Sequence, residues 1–281
     1  MKAEIAWQAA AGAKWVAEQE QTDAQLAPLG LAALQVARPD PGDRVLDVGC
    51  GAGQSTLQLA ELVGPGGRVV GVDISQPLLD HARKRVAQAA AHNIELLLGD
   101  ATVVDLPGPF DFVFSRFGVM FFDDPPRAFS NLAKASAPGA RLCFVCWQGI
   151  DVNAWATAPL AAVQRLRPEQ PLPELLAPGR PGPFSFADTA LVHDLLTRAG
   201  FTSVDIAPRE LEMSFGGART VAQAVRYATT IGPAARFLAS AELATDDPQV
   251  IAALTEAITP FATERGVIVP ARILIVTARR G

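Results

Sequence analysis

Val45-Leu-Asp-Val-Gly-Cys-Gly-Ala-Gly-Gln-Ser55 is the stretch whose reading decides the fold. An apolar run of strand character enters three glycines, Gly49, Gly51 and Gly53, and a helical pattern follows from Gln54 to Leu62. Glycines permit a tight turn and let the backbone approach a ligand closely. The helix behind them presents unpaired N–H groups to an anion. The next apolar run, Arg68-Val-Val-Gly-Val-Asp73, ends in a carboxylate. At the end of a strand neighbouring the glycine turn, Asp73 is placed to accept both ribose hydroxyls of a nucleoside.

Outward from this centre, short apolar runs alternate with longer helical patterns. Ile94–Leu98, Phe110–Ser115 and Arg141–Trp147 read as further strands. Ser75 reads as an N-cap before the stripe Leu78, Leu79, Ala82 and Val86, and Pro125-Pro126 after Asp124 as a helix start with Ala128, Phe129 and Leu132 inward. Strands alternating with helices of this length imply right-handed β-α-β units and a parallel sheet, with ligands at the carboxyl ends of the strands. Residues 1–39 read as helical, around Trp7, Trp15, Val16 and Leu26. Residues 150–183 give one helical stretch and a Pro/Gly loop, and Asp188–Ala199 a helix closed by Gly200. Phe201–Phe215 and Ala271–Thr277 complete the sheet, with helices over Val221–Ser240 and Asp247–Arg265 between them. The expectation is one domain over 1–281: a helical cap at 1–40, a ligand-binding core at 41–148, and sheet completion with helical lid insertions at 149–281.

A dinucleotide fingerprint requires a third small residue at position 54, where this chain has Gln54. The glycines instead run G-x-G-x-G behind Asp47, and that pattern resembles motif I of the class I S-adenosylmethionine-dependent methyltransferases. Gly99-Asp-Ala101 resembles that family's adenine contact. Phe110-Asp-Phe-Val-Phe-Ser115 with Arg116-Phe-Gly-Val-Met-Phe-Phe122 resembles its motif IV, and Pro138-Gly-Ala-Arg-Leu142 the motif after it. Four ordered motifs over residues 41–148 carry the resemblance, closest in flavour to the ubiquinone and menaquinone C-methyltransferase-like group. It implies a doubly wound, mostly parallel, seven-stranded Rossmann-like α/β fold, with S-adenosyl-L-methionine as cofactor. It further implies cofactor-binding residues Asp47, Gly49, Gly51, Gly53, Gln54, Asp73, Ile74, Asp100, Ala101 and Ser115. Asp47 has a second reading, fixing the loop through backbone N–H groups. Ser115 offers mainly its carbonyl. Trp15 reads either as packing or as part of a helix closing over the cofactor.

The implied reaction is methyl transfer to a small, apolar or aromatic molecule by in-line displacement, governed by positioning. Phe117, Met120, Trp147 and Trp155, with Phe184 and Phe186, are candidates to line the acceptor's pocket. No catalytic residue is assigned. His81, His92 and His193 lie away from the strand ends, and Asp123, Asp124, Asp151 and Tyr227 are positional candidates only. Two other readings stand beside the enzyme: a nicotinamide-dependent oxidoreductase and a non-catalytic cofactor-binding protein.

Composition narrows the partners. With 49% hydrophobic and 19% charged residues the chain suits a globular fold, and its net charge of −5 disfavours nucleic acid. The basic triplet Arg83-Lys84-Arg85 reads as a solvated helix face. Cys143 and Cys146 form a C-x-x-C inside a strand, where residues three apart face opposite ways, so neither metal nor disulfide is expected. No signal peptide or membrane-spanning run is visible, and the expected location is cytoplasmic. The oligomeric state stays open, a homodimer among the alternatives.

Overall fold

A computed structural model of the chain describes residues 10–173 and 180–281. Trp7, part of the expected N-terminal helix, lies outside the described residues. The strands are β1 (Arg44–Val48), β2 (Arg68–Asp73), β3 (Ile94–Leu98), β4 (Phe110–Arg116), β5 (Ser136–Trp147), β6 (Phe201–Ser214) and β7 (Gly266–Arg280). They form one sheet in the order β3-β2-β1-β4-β5-β7-β6, and a two-residue strand, Ala262–Thr263, pairs only with the start of β7. β1 to β5 are parallel, and β7 runs antiparallel to both β5 and β6. The mostly parallel, seven-stranded sheet read from the sequence is therefore present. β5 and β7 are longer than the apolar runs suggested: β5 begins at Ser136, which pairs with Phe110, and β7 is paired with β6 from Ile268 to Arg280. Edge strand β6 is largely exposed and carries Pro208 and alternating charges, both tolerated where one side of the ladder is unpaired.

The helices are α1 (Ala10–Ala17), α2 (Gln19–Val36), α3 (Gln54–Val63), α4 (Gln76–Gln88), α5 (Pro125–Ala135), α6 (Ala154–Gln164), α7 (Thr189–Arg198), α8 (Val221–Thr230), α9 (Pro233–Ser240) and α10 (Pro248–Ile258). Adjacent residues of β5 show that the sheet is covered on both faces. The Cys143 thiol approaches the Ala33 carbonyl of α2 at 3.7 Å, while Phe144 packs against Phe129 of α5 with ring centroids 5.8 Å apart. Neighbouring residues of a strand point to opposite faces, so α2 and α5 sandwich β5. The same alternation separates Cys143 from Cys146, and all three cysteines are buried and unpaired.

The helical segment expected over Val221–Ser240 is two helices. Thr220 and Gln223 form a capping box that starts α8. Ile231 is extended, and Pro233, which has no N–H to donate, opens α9 in a new direction. The helix expected over Asp247–Arg265 ends at Ile258, where Pro260 lies in a 3-10 turn, Thr259–Phe261, before the Ala262–Thr263 hairpin. The basic triplet also departs from a solvated face. Arg85 points inward, donating to Asp23 of α2 and to the Ala52 carbonyl, each at 2.9 Å. Helices α6, α8, α9 and α10 pack on one another as a separate layer.

Candidate functional site

The strand order reverses between β1 and β4, and there the ends of both strands meet. A Cβ added at Gly49 would lie 2.8 Å from the Gly118 Cα, and one added at Gly118 would lie 2.6 Å from the Val48 carbonyl oxygen. Only a glycine pair permits this approach. Ser115 locks it from below, its hydroxyl donating to the Val48 carbonyl at 2.8 Å and accepting from the Gly118 and Val119 N–H groups at 3.2 and 3.3 Å. The Ser115 side chain thus joins the two strand ends, a role beyond the carbonyl that the sequence reading mainly credits.

Asp47 sits fully buried beneath the glycine turn. Its Oδ2 accepts from the hydroxyls of Ser55 at 2.8 Å and Thr56 at 2.6 Å, both on α3. Oδ1 has no partner among the described residues. Asp47 therefore ties β1 to α3 across the turn through side-chain hydroxyls, where its second reading names backbone N–H groups. Burial pushes its carboxyl up to about 6, although the two hydroxyls and Arg116 oppose the rise.

Asp73 stands at the end of β2 and reaches across to the turn. Oδ2 accepts the Gly51 N–H at 2.8 Å and Oδ1 the Ser75 N–H at 2.8 Å. Burial raises its pKa, and the backbone N–H groups of Ser75, Gly51 and Ile74 counter that rise. Asp73 faces a cavity, and its carboxylate keeps acceptor capacity beyond these backbone donors. Gly51 adopts φ +54°, and a Cβ built on it meets nothing within 4 Å, so the backbone here borders open space.

That cavity, about 370 Å³, opens above the carboxyl ends of β1 to β5. Gly49, Gly51, Asp73, Ile74, Asp100 and Ala101 line one end. Asp100 is held by accepting the Thr102 N–H at 2.8 Å. Asp47, Gly53, Gln54 and Ser115, also read as cofactor contacts, stand behind this wall. Gln54 is hydrogen-bonded to Arg116, which does line the cavity, and does not itself reach it. Phe117, Met120, Trp147 and Trp155 line the rest of the cavity. Phe117 is held at φ +58°, a conformation disfavoured for an aromatic residue. It stacks on Trp147 with ring centroids 4.5 Å apart, and Trp147 in turn lies 4.6 Å from Trp155. Phe184 packs against Trp155 at the end of this row, whereas Phe186 packs on Phe129 and Phe144 on the α5 face of the sheet.

The roof comes from both ends of the chain. Lys14, Trp15, Thr22, Gln25 and Leu26 project from α1 and α2, and Tyr227, Thr230 and Arg236 from α8 and α9. Of the positional candidates for a base, Asp123 and Tyr227 reach the cavity. Asp124 caps α5, accepting the Arg127 N–H at 3.1 Å, and Asp151 lies at a separate surface depression. Burial pushes the Tyr227 hydroxyl up to about 12, so it stays protonated. His81, His92 and His193 all lie outside the cavity wall. No cluster of three or more metal-ligating side chains occurs among the described residues.

Sequence reasoning passed over Asp23, Gly118 and Arg236. Gly118 had a signal, a glycine three residues after a strand-ending serine. Asp23 and Arg236 had none, because their partners lie far away along the chain.

Residues 45–139 match the family model described as "Methyltransferase domain". Over 203 residues the chain is 30% identical to nocamycin O-methyltransferase of Saccharothrix syringae, covering 66% of this chain and 69% of that enzyme. Over 125 residues it is 32% identical to demethylmenaquinone methyltransferase of Listeria monocytogenes, covering 43% of this chain and about half, 52%, of that one. Among solved structures it resembles the YcgJ protein of Bacillus subtilis, with a TM-score of 0.56 and 16% identity over 90% of this chain and 97% of that one, a likeness of fold. These relationships set the nicotinamide reading aside. With a glycine turn, a strand-end carboxylate and an open cavity that suit a nucleoside-bearing cofactor, the chain belongs to the class I S-adenosylmethionine-dependent methyltransferases and uses S-adenosyl-L-methionine.

Proposed function

We propose that this chain methylates a small apolar or aromatic acceptor lying against Phe117, Met120, Trp147 and Trp155, with the cofactor seated at the Gly51–Asp73 end of the same cavity. The observation that carries the reading is the continuity of that cavity: one space joins the glycine turn to the aromatic row. Asp73 would hold the ribose hydroxyls through its remaining acceptor capacity, Asp100 and Ala101 the adenine, and the backbone at Gly49 and Gly51 the amino-acid end. Asp47, Gly53, Gln54 and Ser115 would act on the cofactor by fixing the turn.

When bound, the cofactor supplies a methyl group made electrophilic by a sulfonium. The protein's own part is alignment and exclusion of water, effects worth about 7–11 kcal/mol in well-oriented reactions. The roof helices and the aromatic row provide both. Tyr227 keeps its proton and so orients without acting as a base. The histidines stand apart, which suits an acceptor that is an acidic phenol or enol, or an amine.

We assign the enzyme to the cytoplasm, a reading supported by three buried, unpaired cysteines. None of the described helices is long and apolar enough to cross a membrane. Calorimetry with S-adenosylhomocysteine against NAD tests the cofactor, and radiolabelled methyl transfer over phenols, quinols and amines tests turnover. Micromolar binding of S-adenosylhomocysteine with no transfer to any acceptor would leave a binding protein in place of an enzyme.

A further inference from the structure

Among the described residues, the arginines with shielded side chains are, with one exception, satisfied. Arg85 and Arg116 donate to Asp23, Arg141 to Asp43, and Arg280 to the carbonyls of Ala133 and Gly200. Arg236 of α9 is the exception: it lines the main cavity and has no ion pair or side-chain hydrogen bond among the described residues. Burial lowers its pKa, with no carboxylate or acceptor to oppose the effect. A half-buried guanidinium on a cavity wall keeps unpaired donors, and its planar fork matches carboxylate and phosphate oxygens in pairs.

The position also says which ligand it faces. Helix α9 packs chiefly on α6 and α8, which carry Trp155 and Tyr227. Pro233, three residues earlier, sets the direction of α9 and brings its second turn to the cavity.

We propose that Arg236 anchors an oxyanion, a carboxylate or a phosphate, carried by the methyl acceptor. The acceptor is then an anionic aromatic or apolar molecule, its ring against Trp155 and its charged group on α9. This rests on the reading of the aromatic row as the acceptor's seat.

The test uses the full chain saturated with S-adenosylhomocysteine and matched acid and neutral probes: benzoate and benzamide, 1-naphthoate and 1-naphthamide, phenyl phosphate and phenol. In the wild type at least one acid should bind about tenfold more tightly than its neutral counterpart, the size expected of charge-assisted hydrogen bonds. The carboxylate and phosphate pairs show which oxyanion is preferred. Arg236→Gln should abolish the preference, Arg236→Lys should keep part of it, and S-adenosylhomocysteine affinity should stay within about twofold in both. Thermal unfolding of the Lys variant controls for folding should the Gln variant be unstable.

Three results overturn the proposal: no acid preferred over its neutral counterpart, a preference that survives in Arg236→Gln, or a tenfold loss of S-adenosylhomocysteine affinity in both variants. The last would mean that Arg236 holds the cofactor's own carboxylate and would leave the methyltransferase reading intact. Wild-type protein that binds no S-adenosylhomocysteine would instead sink that underlying reading.

Discussion

The Asp73 carboxylate accepts the Gly51 N–H at 2.8 Å, tying the end of β2 to the glycine turn that follows β1. The residue proposed to grip the ribose therefore also sets the shape of the turn beside it. Asp73→Asn retains one acceptor, and Asp73→Ala none. S-adenosylhomocysteine affinity measured by calorimetry should fall about tenfold or more in the first and further in the second, as expected for losing hydrogen bonds to a charged group. Unchanged affinity in Asp73→Ala would remove the nucleoside from this site.

Asp47 offers a pH-dependent prediction with a definite sign. Burial raises its carboxyl from 3.8 in the free side chain to about 6. A raised acid contributes stability that is fully present below pH 3.8 and is lost as pH climbs through about 6. Relative to wild type, Asp47→Asn should thus gain stability between pH 4 and pH 7, by up to about 3 kcal/mol. Urea unfolding of both proteins across that range measures the difference. A constant difference would show that Asp47 titrates normally in the fold.

Asp23 joins the N-terminal roof to the site, pairing with Arg85 at 2.9 Å and Arg116 at 3.2 Å. Its side chain and that of Arg116 are each about one-tenth exposed, so removing the carboxylate strands a shielded cation. Asp23→Asn should destabilise by about 2–3 kcal/mol, somewhat less than for a fully buried pair. Proteolysis within α1 and α2 should accelerate, and the KM for the cofactor should rise, since Lys14, Trp15 and Gln25 lose their fixed position. Wild-type proteolysis rates would show that the clamp does not hold the roof.

Trp15, Trp147 and Trp155 all line the cavity. Titration with S-adenosylhomocysteine should change the intrinsic fluorescence, and Trp15→Phe should remove most of that response. An aromatic acceptor should act on the remaining signal, which Trp155→Phe should diminish while cofactor affinity holds. A cofactor response carried wholly by Trp155 would reverse the proposed orientation of the two ligands.

His92 and His193 are exposed and His81 is half-buried against Gln19, all outside the cavity, and a triple substitution to Gln should keep kcat within about threefold of wild type. Loss of turnover with cofactor binding intact would call for a histidine base and a different mechanism.

Local sequence alone determined the parallel sheet, the glycine turn and the carboxylate that follows it. Short continuous apolar runs, three closely spaced glycines and a strand-final Asp73 act over a few residues, so their meaning survives without knowledge of the rest of the chain. The same locality let Cys143 and Cys146 be separated, because strand alternation is fixed by the backbone. Tertiary structure decided what those elements meet. Asp47 found the hydroxyls of Ser55 and Thr56, Gly49 found Gly118, and Asp23 found an arginine 93 residues away. The break after Thr230 turned a continuous helical pattern into two helices and aimed Arg236 at the cavity. Such pairings depend on how elements distant in sequence pack together, and no local periodicity encodes that.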